Sequence, residues 1–446
     1  MTDEELARHA REVLDANWLG HATSPSTRLY PHQWSWDSAF VAMGYAHTDQ
    51  NRAQTEIESL FAGQWSDGMV PHIVFVDGAT PYFPGPEIWR TEVSGMAPAT
   101  PRTSGIVQPP VHATAVWRIY QAAADRAGAR EFLDAMLPRL AAWHDYLYRE
   151  RTRDGGALVE IWHPWESGLD NSPLWDGVLD RIVPDPESVP PYRRTDLVVS
   201  EPGERPTDAE YDRYIHLVKL FADHGYDGAR IRAATPFAIQ DALFNALLVQ
   251  AERDLADIAR TLGVPAERFD ERAERTALAM NDVLWHDDAG YLDVDVPTGA
   301  PIDTLAWVRF SPLFAGVPDA GRARQLVTML DATMVTIDGI GRAVPSLSPH
   351  DPRFDPTRYW RGPVWINANW LLYHGLRRYG FTGAAAQLRT TMIELARRGG
   401  FSEHYHPGTG RGHGGTEFAW SAALVLDLLY GNRLTRSVRD ATSTIS

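Results

Sequence analysis

Apolar residues recur at three- and four-residue spacing along nearly the whole chain, and this periodicity restricts the fold more than any other feature of the sequence. It predicts helices over 4–17, 36–46, 52–65, 111–127, 131–150, 208–224, 237–262, 266–284, 320–333, 364–379, 382–398 and 417–430. Thr207 before Asp208-Ala209-Glu210 is a start signal, while Gly263-Val264-Pro265 and Gly380 are stop signals. About twelve helices, joined alternately by short and long connections, predict one all-α domain over residues 1–446. Six helical hairpins closed into a ring, an (α/α)6 barrel, fit that count. The short β-branched runs 72–76 and 291–294 predict small hairpins inside loops. The polar tail 433–446 is expected to be ordered only by packing on its neighbours.

The long connections are 20–34, 64–108, 155–207, 333–362 and 400–416, and they hold nearly all the clusters that mix aromatic and charged residues. In a ring of hairpins the long connections share one face, so these clusters predict a single ring-lined polar pocket. Many of the 16 Trp of the chain fall in such segments beside charged residues, which suggests this pocket, while filling of a large helical core is the alternative use of Trp. A net charge of −16 argues against nucleic acid or an anionic membrane surface as a partner, because phosphates require a basic face. The absence of cysteine removes disulfides, thiolate metal sites and a Cys nucleophile. The acidic start Met1-Thr2-Asp3-Glu4-Glu5 lacks the features of a signal peptide, and no apolar run reaches the ~20 residues of a membrane helix. A cytoplasmic enzyme acting on a small molecule is the expectation. The oligomeric state is left open, a homo-oligomer included.

Residues 163–176 carry Glu166 and Asp170 beside Trp165 and Trp175, in a segment broken by Pro164, Gly168 and Pro173. Flat rings suit pyranose faces, and carboxyls suit sugar hydroxyls and a glycosidic bond. Glycoside cleavage takes a general acid and a second carboxylate. Asp170 is the candidate acid, since apolar walls would keep it protonated, although Asp also caps turns at such places. Glu403, after Gly399-Gly400, is the preferred partner. Glu417 is the rival, with helix-dipole complementation as its ordinary role. Tyr30, Trp34, Trp36 and Asp37 enter one helix, and Tyr359, Trp360, Arg361 and Trp365 enter another, with the same texture. Arg205, Arg213 and Tyr214 lie near the third long connection, where Arg213 could grip a carboxylate. His404, His406 and His413 do not have zinc-motif spacing, so no metal is expected. No nucleotide or dinucleotide fingerprint is present, and no cofactor is expected.

Seven segments together resemble glycoside hydrolase family 63, specifically its bacterial glucosylglycerate and mannosylglycerate hydrolases. They are Tyr30-Pro31-His32-Gln33-Trp34-Ser35-Trp36-Asp37, Gly68-Met69-Val70-Pro71-His72-Ile73-Val74-Phe75, Tyr82-Phe83-Pro84-Gly85-Pro86 and Gln108-Pro109-Pro110-Val111-His112-Ala113. Trp165-Glu166-Ser167-Gly168-Leu169-Asp170-Asn171-Ser172-Pro173, Asp208-Ala209-Glu210-Tyr211-Asp212-Arg213-Tyr214 and Tyr359-Trp360-Arg361-Gly362-Pro363-Val364-Trp365 complete the set. The resemblance implies an (α/α)6 barrel, inversion of configuration, Asp170 as general acid and Glu403 as general base. It also implies sugar contacts from Trp36 and Asp37, and a glycerate carboxylate facing Tyr82, Gln108 and Arg213. His72, Trp165, Glu166 and Trp420 join the expected substrate contacts. Leu174 stands where relatives often carry Arg, and His404 and His406 depart from the base motif. The competing expectations are a neutral disaccharide or oligosaccharide as substrate, a sugar 2-epimerase, and a sugar-binding protein without activity.

Overall fold

The computed structural model describes residues 1–153, 155–185, 189–198 and 202–443. Twelve helices form the framework, alternating between an outer and an inner layer: α1 Asp3–Asn17, α2 Ser35–Tyr45, α3 Gln50–Ala62, α4 His112–Ala122, α5 Arg126–Glu150, α6 Ala242–Leu262, α7 Glu267–Ala279, α8 Pro312–Ala315, α9 Ala320–Thr333, α10 Ile366–Arg378, α11 Thr382–Gly399 and α12 Ala419–Ser443. The even-numbered helices pack in a closed cycle, α2 on α4, then α6, α8, α10, α12 and back to α2. Each odd-numbered helix lies outside this ring, which makes the fold an (α/α)6 barrel. The layers differ as sequence physics requires. Outer α1 buries only one stripe, with Leu6, Ala10, Val13 and Leu14 inward. Inner α2 is buried at every residue, having neighbours on all sides.

Ring closure depends on two close helix approaches. A Cβ on Gly44 of α2 would lie 2.5 Å from Ala423 of α12, and one on Gly375 of α10 would lie 2.9 Å from Leu313 of α8. Only glycine fits at such separations.

The expected count of about twelve helices conceals two errors that cancel. Residues 208–224 do form a helix, Asp208–Asp223, with the Thr207–Glu210 capping box. That helix is an excursion of the third long connection and has no place in the ring. The fourth inner helix is instead the four-residue α8, led in by a tight turn over Trp307–Phe310. It is too short to show a helical period. Boundaries shift as well. The segment expected over 111–127 stops at Ala122, because Asp125 caps α5 through the backbone N–H groups of Ala127 and Gly128. The segment expected from 237 starts at Ala242. Ile239–Gln240 before it is the second strand of a four-stranded antiparallel sheet with Glu160–Ile161, Asp293–Asp295 and Ala300–Ile302. Of the run 72–76, Ile73–Val74 pairs with the remote Gln33–Trp34 and forms no local hairpin. Gly290–Tyr291 does make a hairpin, with Trp285–His286. The expectation for the tail concerns side chains that lie outside the described residues, while the backbone of α12 continues to Ser443. Among the described residues, no helix is long and apolar enough to cross a membrane.

Candidate active site

The inner helices begin at the same end of the ring, and the residues that introduce them line a cavity of about 780 Å³, its open mouth included. Trp36 and Asp37 come from the first turn of α2, Gln108 precedes α4, and Phe418 and Trp420 open α12. The Gln33–Trp34 strand and its partner bring Trp34, His72 and Ile73 to one wall. Gln108 fixes the entry to α2 by accepting from the Trp36 backbone N–H at 3.2 Å.

The 163–176 connection presents Asp170 through a series of local locks. His163 accepts from the Trp165 N–H and starts a tight turn over Pro164–Ser167. Gly168 closes that turn at φ +72°, with the Trp36 indole 2.5 Å from where a Cβ would sit. Both the backbone and the space therefore demand glycine. Ser172 begins the next turn, the Leu169 carbonyl accepts from the Trp175 indole at 2.9 Å, and the Asp170 carbonyl accepts from the Tyr214 hydroxyl at 2.6 Å. The backbone around Asp170 is thus held while its carboxyl remains free of hydrogen bonds from neighbouring side chains among the described residues. Burial pushes that carboxyl up to about 7; Arg205 opposes the rise, and the charges of Glu403 and Asp196 reinforce it.

Glu403 is set differently. It is fully buried, and its Oε1 accepts from the hydroxyls of Tyr30 and Tyr359, both at 3.0 Å. Its Oε2 accepts from the Gly415 N–H at 2.9 Å. Burial raises this carboxyl above the usual range, against the pull of Arg205 and of these three donors. One cavity therefore holds Asp170 undressed and Glu403 oriented by donors. Asp37, also buried on this wall, is held well above the carboxylate range by burial and by the Glu403 charge.

Arg205 joins the two. Its Nη2 donates to the Tyr30 hydroxyl at 3.0 Å, its Nε to Asp196 at 3.2 Å, and its guanidinium lies 4.3 Å from the centre of the Tyr359 ring. Arg194 clamps Asp196 from behind at 2.6 and 3.1 Å. These two cations outweigh the effect of burial and keep Asp196 below its ordinary value. The Nη1 of Arg205 is buried in the cavity wall, with the residue only 6% exposed, and has no hydrogen-bond partner among the described residues. Rings complete the walls. Trp34 meets Tyr30 and Tyr82 edge-on, Trp36 meets Trp420, and His72 stacks on Trp165. Burial holds His72 well below its usual value, so it faces the cavity as neutral imidazole.

Of the residues singled out in the sequence as catalytic or substrate-binding, or as cations near the third long connection, the cavity brings together Tyr30, Trp34, Trp36, Asp37, His72, Tyr82, Gln108, Trp165, Asp170, Arg205, Tyr359, Glu403 and Trp420. The others stand outside its lining. Glu166 is enclosed: Arg151 bonds both its oxygens at 2.8 Å, and the N–H groups of Val107 and Trp162 take their remaining capacity. It anchors the loop to the end of α5 and has no oxygen left for a ligand. Arg213 pairs with exposed Asp180 at 3.3 Å. Tyr214 stands behind Asp170. Trp360 and Trp365 stack face to face at 3.7 Å behind Trp420, and Arg361 is spent on Asp176 and Glu210. Glu417 is exposed, at φ +51° before α12. His413 pairs with Glu204 at 2.8 Å, and among the described residues no group of three or more His, Asp or Glu is arranged to hold a metal. Sequence reasoning left Asp196, Phe83, Tyr211 and Phe418 out of the site and preferred Arg213 to Arg205. Arg205 carries no local signal beyond its place in a long connection.

Residues 30–421 match a family model described as the mannosylglycerate hydrolase MGH1-like glycoside hydrolase domain. A mannosylglycerate hydrolase of Rubrobacter radiotolerans is 49% identical over 428 residues, covering 96% of this chain and 97% of the relative. A glucosylglycerate hydrolase of Mycolicibacterium hassiacum is 37% identical over 440 residues, covering 96% and 98%. The crystal structure of a family 63 mannosylglycerate hydrolase from Thermus thermophilus, in complex with Tris and D-glycerate, superposes with a TM-score of 0.88 at 44% identity, covering 94% of this chain and 99% of that one.

Proposed function

We propose, from the premise that the chain belongs to the MGH1-like glycoside hydrolases of family 63, that Asp170 and Glu403 hydrolyse a 2-O-α-glycosyl glycerate with inversion. The protein is a glycoside hydrolase, and the relatives that cover it nearly end to end are named for mannosylglycerate or glucosylglycerate. The observation that carries the assignment of roles is the unequal dressing of two carboxyls, Asp170 and Glu403, in one cavity. Asp170, raised to about 7, keeps a proton for the leaving oxygen at neutral pH. Glu403, held by two tyrosine hydroxyls and a backbone N–H, is positioned to accept a proton from water.

In the proposed reaction the anomeric C–O bond breaks as the Asp170 proton moves to the glycerate oxygen. Water attacks the opposite face and passes its proton to Glu403, leaving free hexose of inverted configuration and glycerate. Inverting enzymes separate the two carboxyls by roughly 6.5–9.5 Å to admit that water. The unpartnered Nη1 of Arg205 supports an anionic leaving group, since a buried guanidinium N–H without an acceptor costs free energy that a carboxylate oxygen recovers. Asp37, Trp36 and Trp420 are the groups available to the hexose. We further take residues 1–446 as one catalytic domain, supported by a hydrophobic core that runs from Leu6 to Leu428. The cytoplasmic assignment rests on the acidic, cysteine-free sequence.

The test is hydrolysis of mannosylglycerate and glucosylglycerate by Asp170→Asn and Glu403→Gln. Each variant should lose at least about a thousandfold in kcat with an unchanged circular dichroism spectrum. Near-normal turnover by either would remove that residue from the mechanism. NMR of the first-formed hexose should show the β-anomer, and an α-anomer would contradict inversion.

A further inference from the structure

We propose that the enzyme carries a second anion site, for a phosphate dianion either free or borne on a small metabolite, at the end of the barrel remote from the active site. The active-site residues introduce the inner helices, whereas Arg118 lies in the second half of α4 and His374, Arg377 and Arg378 lie at the end of α10. With Asp254 and Gln250 from α6 they line an open hollow of about 890 Å³, the solvent at its mouth included.

In a chain of net charge −16, the guanidinium groups at this hollow are poorly matched by acids. Arg118 is served by Asp427, with both oxygens at 3.4 Å, and lies 4.6 Å from the Trp370 ring centre. Arg377, Arg378 and the adjoining Arg253 have no carboxylate partner among the described residues. Arg377 donates to the Tyr373 hydroxyl at 3.2 Å, Arg378 to the side-chain amide oxygen of Gln250, and Arg253 to the Ala315 backbone carbonyl. The one acid in the lining, Asp254, is committed to Thr114 at 2.6 Å and Gln250 at 2.9 Å. Burial pushes it up to about 6, which weakens it further as a counter-charge. Arg253 is held below its ordinary value by burial and by the Arg378 charge, a repulsion that Tyr379 and Asp254 do not overcome.

Cations in a last helical turn often do no more than complement the helix dipole. That explanation covers Arg377 and Arg378 on α10. It does not cover Arg118 of α4, which lines the same hollow from another helix. Planar guanidinium forks from two helices around an open hollow match the geometry of a phosphate, and three cations together call for a divalent anion. His374, held at about 4 by burial and by Arg118, adds a neutral ring at neutral pH.

The experiment is isothermal titration of the full-length protein with inorganic phosphate and with glucose 6-phosphate, at constant ionic strength set by sodium chloride. The wild type, Arg377→Ala/Arg378→Ala and Arg205→Gln are compared. Both paired positions are exposed, so the double variant should fold, which its melting temperature checks. Saturable binding that weakens at least tenfold in the double variant and persists in Arg205→Gln is expected. Equal affinity for the two probes assigns free phosphate, and tighter binding of glucose 6-phosphate assigns a phosphorylated metabolite. Absence of saturable binding by either probe, or undiminished binding by the double variant, overturns the proposal.

Discussion

Replacing Tyr359 with Phe removes one atom, a hydroxyl that donates to Glu403 Oε1 at 3.0 Å in a buried setting. Hydrogen bonds to ionised groups contribute about 1.5–3 kcal/mol, so the ionised form of Glu403 loses up to that amount relative to the protonated form. The Tyr30 hydroxyl and the Gly415 N–H remain, and Tyr30 already lies 3.3 Å from the Tyr359 oxygen, ready to take more of the load. The net effect should fall near the lower limit, about tenfold in the ionisation equilibrium. The sign follows from the role assigned. A base must be ionised, so a carboxyl that holds its proton more tightly moves the acid limb of the kcat/KM profile to higher pH. On that limb kcat/KM should fall about tenfold, while near the optimum the loss should be smaller. The basic limb, set by loss of the Asp170 proton near pH 7, should stay in place. The assay is glycerate release from mannosylglycerate across pH, with substrate below KM. A uniform loss at every pH, or a shift of the basic limb alone, would refute the assignment of Glu403 as the base.

Two further predictions test the frame around the site. Arg151→Met strands the buried Glu166 carboxylate and should cost about 3–5 kcal/mol in urea unfolding, whereas Arg213→Ala breaks a half-exposed pair and should cost below about 1 kcal/mol; equal costs would contradict the reading of Glu166 as an anchor. The buried carboxyls of Asp241 and Asp293 meet at the start of α6, and burial raises both, Asp293 to about 7. The folded state therefore keeps protons that the unfolded chain releases above 3.8, so stability is fully present below that pH and is lost as pH rises toward 7. Asp293→Asn, which retains the acceptor for the Ala242 N–H, should flatten this slope in melts taken between those limits. An unchanged slope would sink the linkage argument.

The legible parts of the sequence were those set by neighbours along the chain. Capping at Thr207, glycine in the Gly168 turn and the apolar stripe of α1 are all local effects. Local signals do not reveal which helix joins which layer. The capped helix Asp208–Asp223 has the sequence marks of a ring member, while the four residues of α8 give no period although α6 and α10 both pack on them. The aromatic residues beside Asp170 and Glu403 were visible for a similar reason, since rings and acids mixed within broken segments have few ordinary uses.

Charge pairing was the part hidden from the sequence. Glu166 and Asp170 stand four residues apart in the same ring-rich segment, and nothing local separates an anchor from a cavity-lining acid. The fold separates them by bringing Arg151 to both oxygens of Glu166 and only the Tyr214 hydroxyl to the backbone of Asp170. Arg205 and Arg213 are likewise alike in sequence, yet Asp180 occupies one while the other keeps a buried nitrogen open. By itself the sequence determined the helical barrel and the short segments that hold the site, through periodicity, turn chemistry and composition, and it gave the family through the resemblance of seven segments. The tertiary structure alone decided which of Glu166 and Asp170 is dressed, which is bare, and which of Arg205 and Arg213 keeps a buried N–H without a partner among the described residues. Those properties depend on burial and on partners brought together from distant parts of the chain.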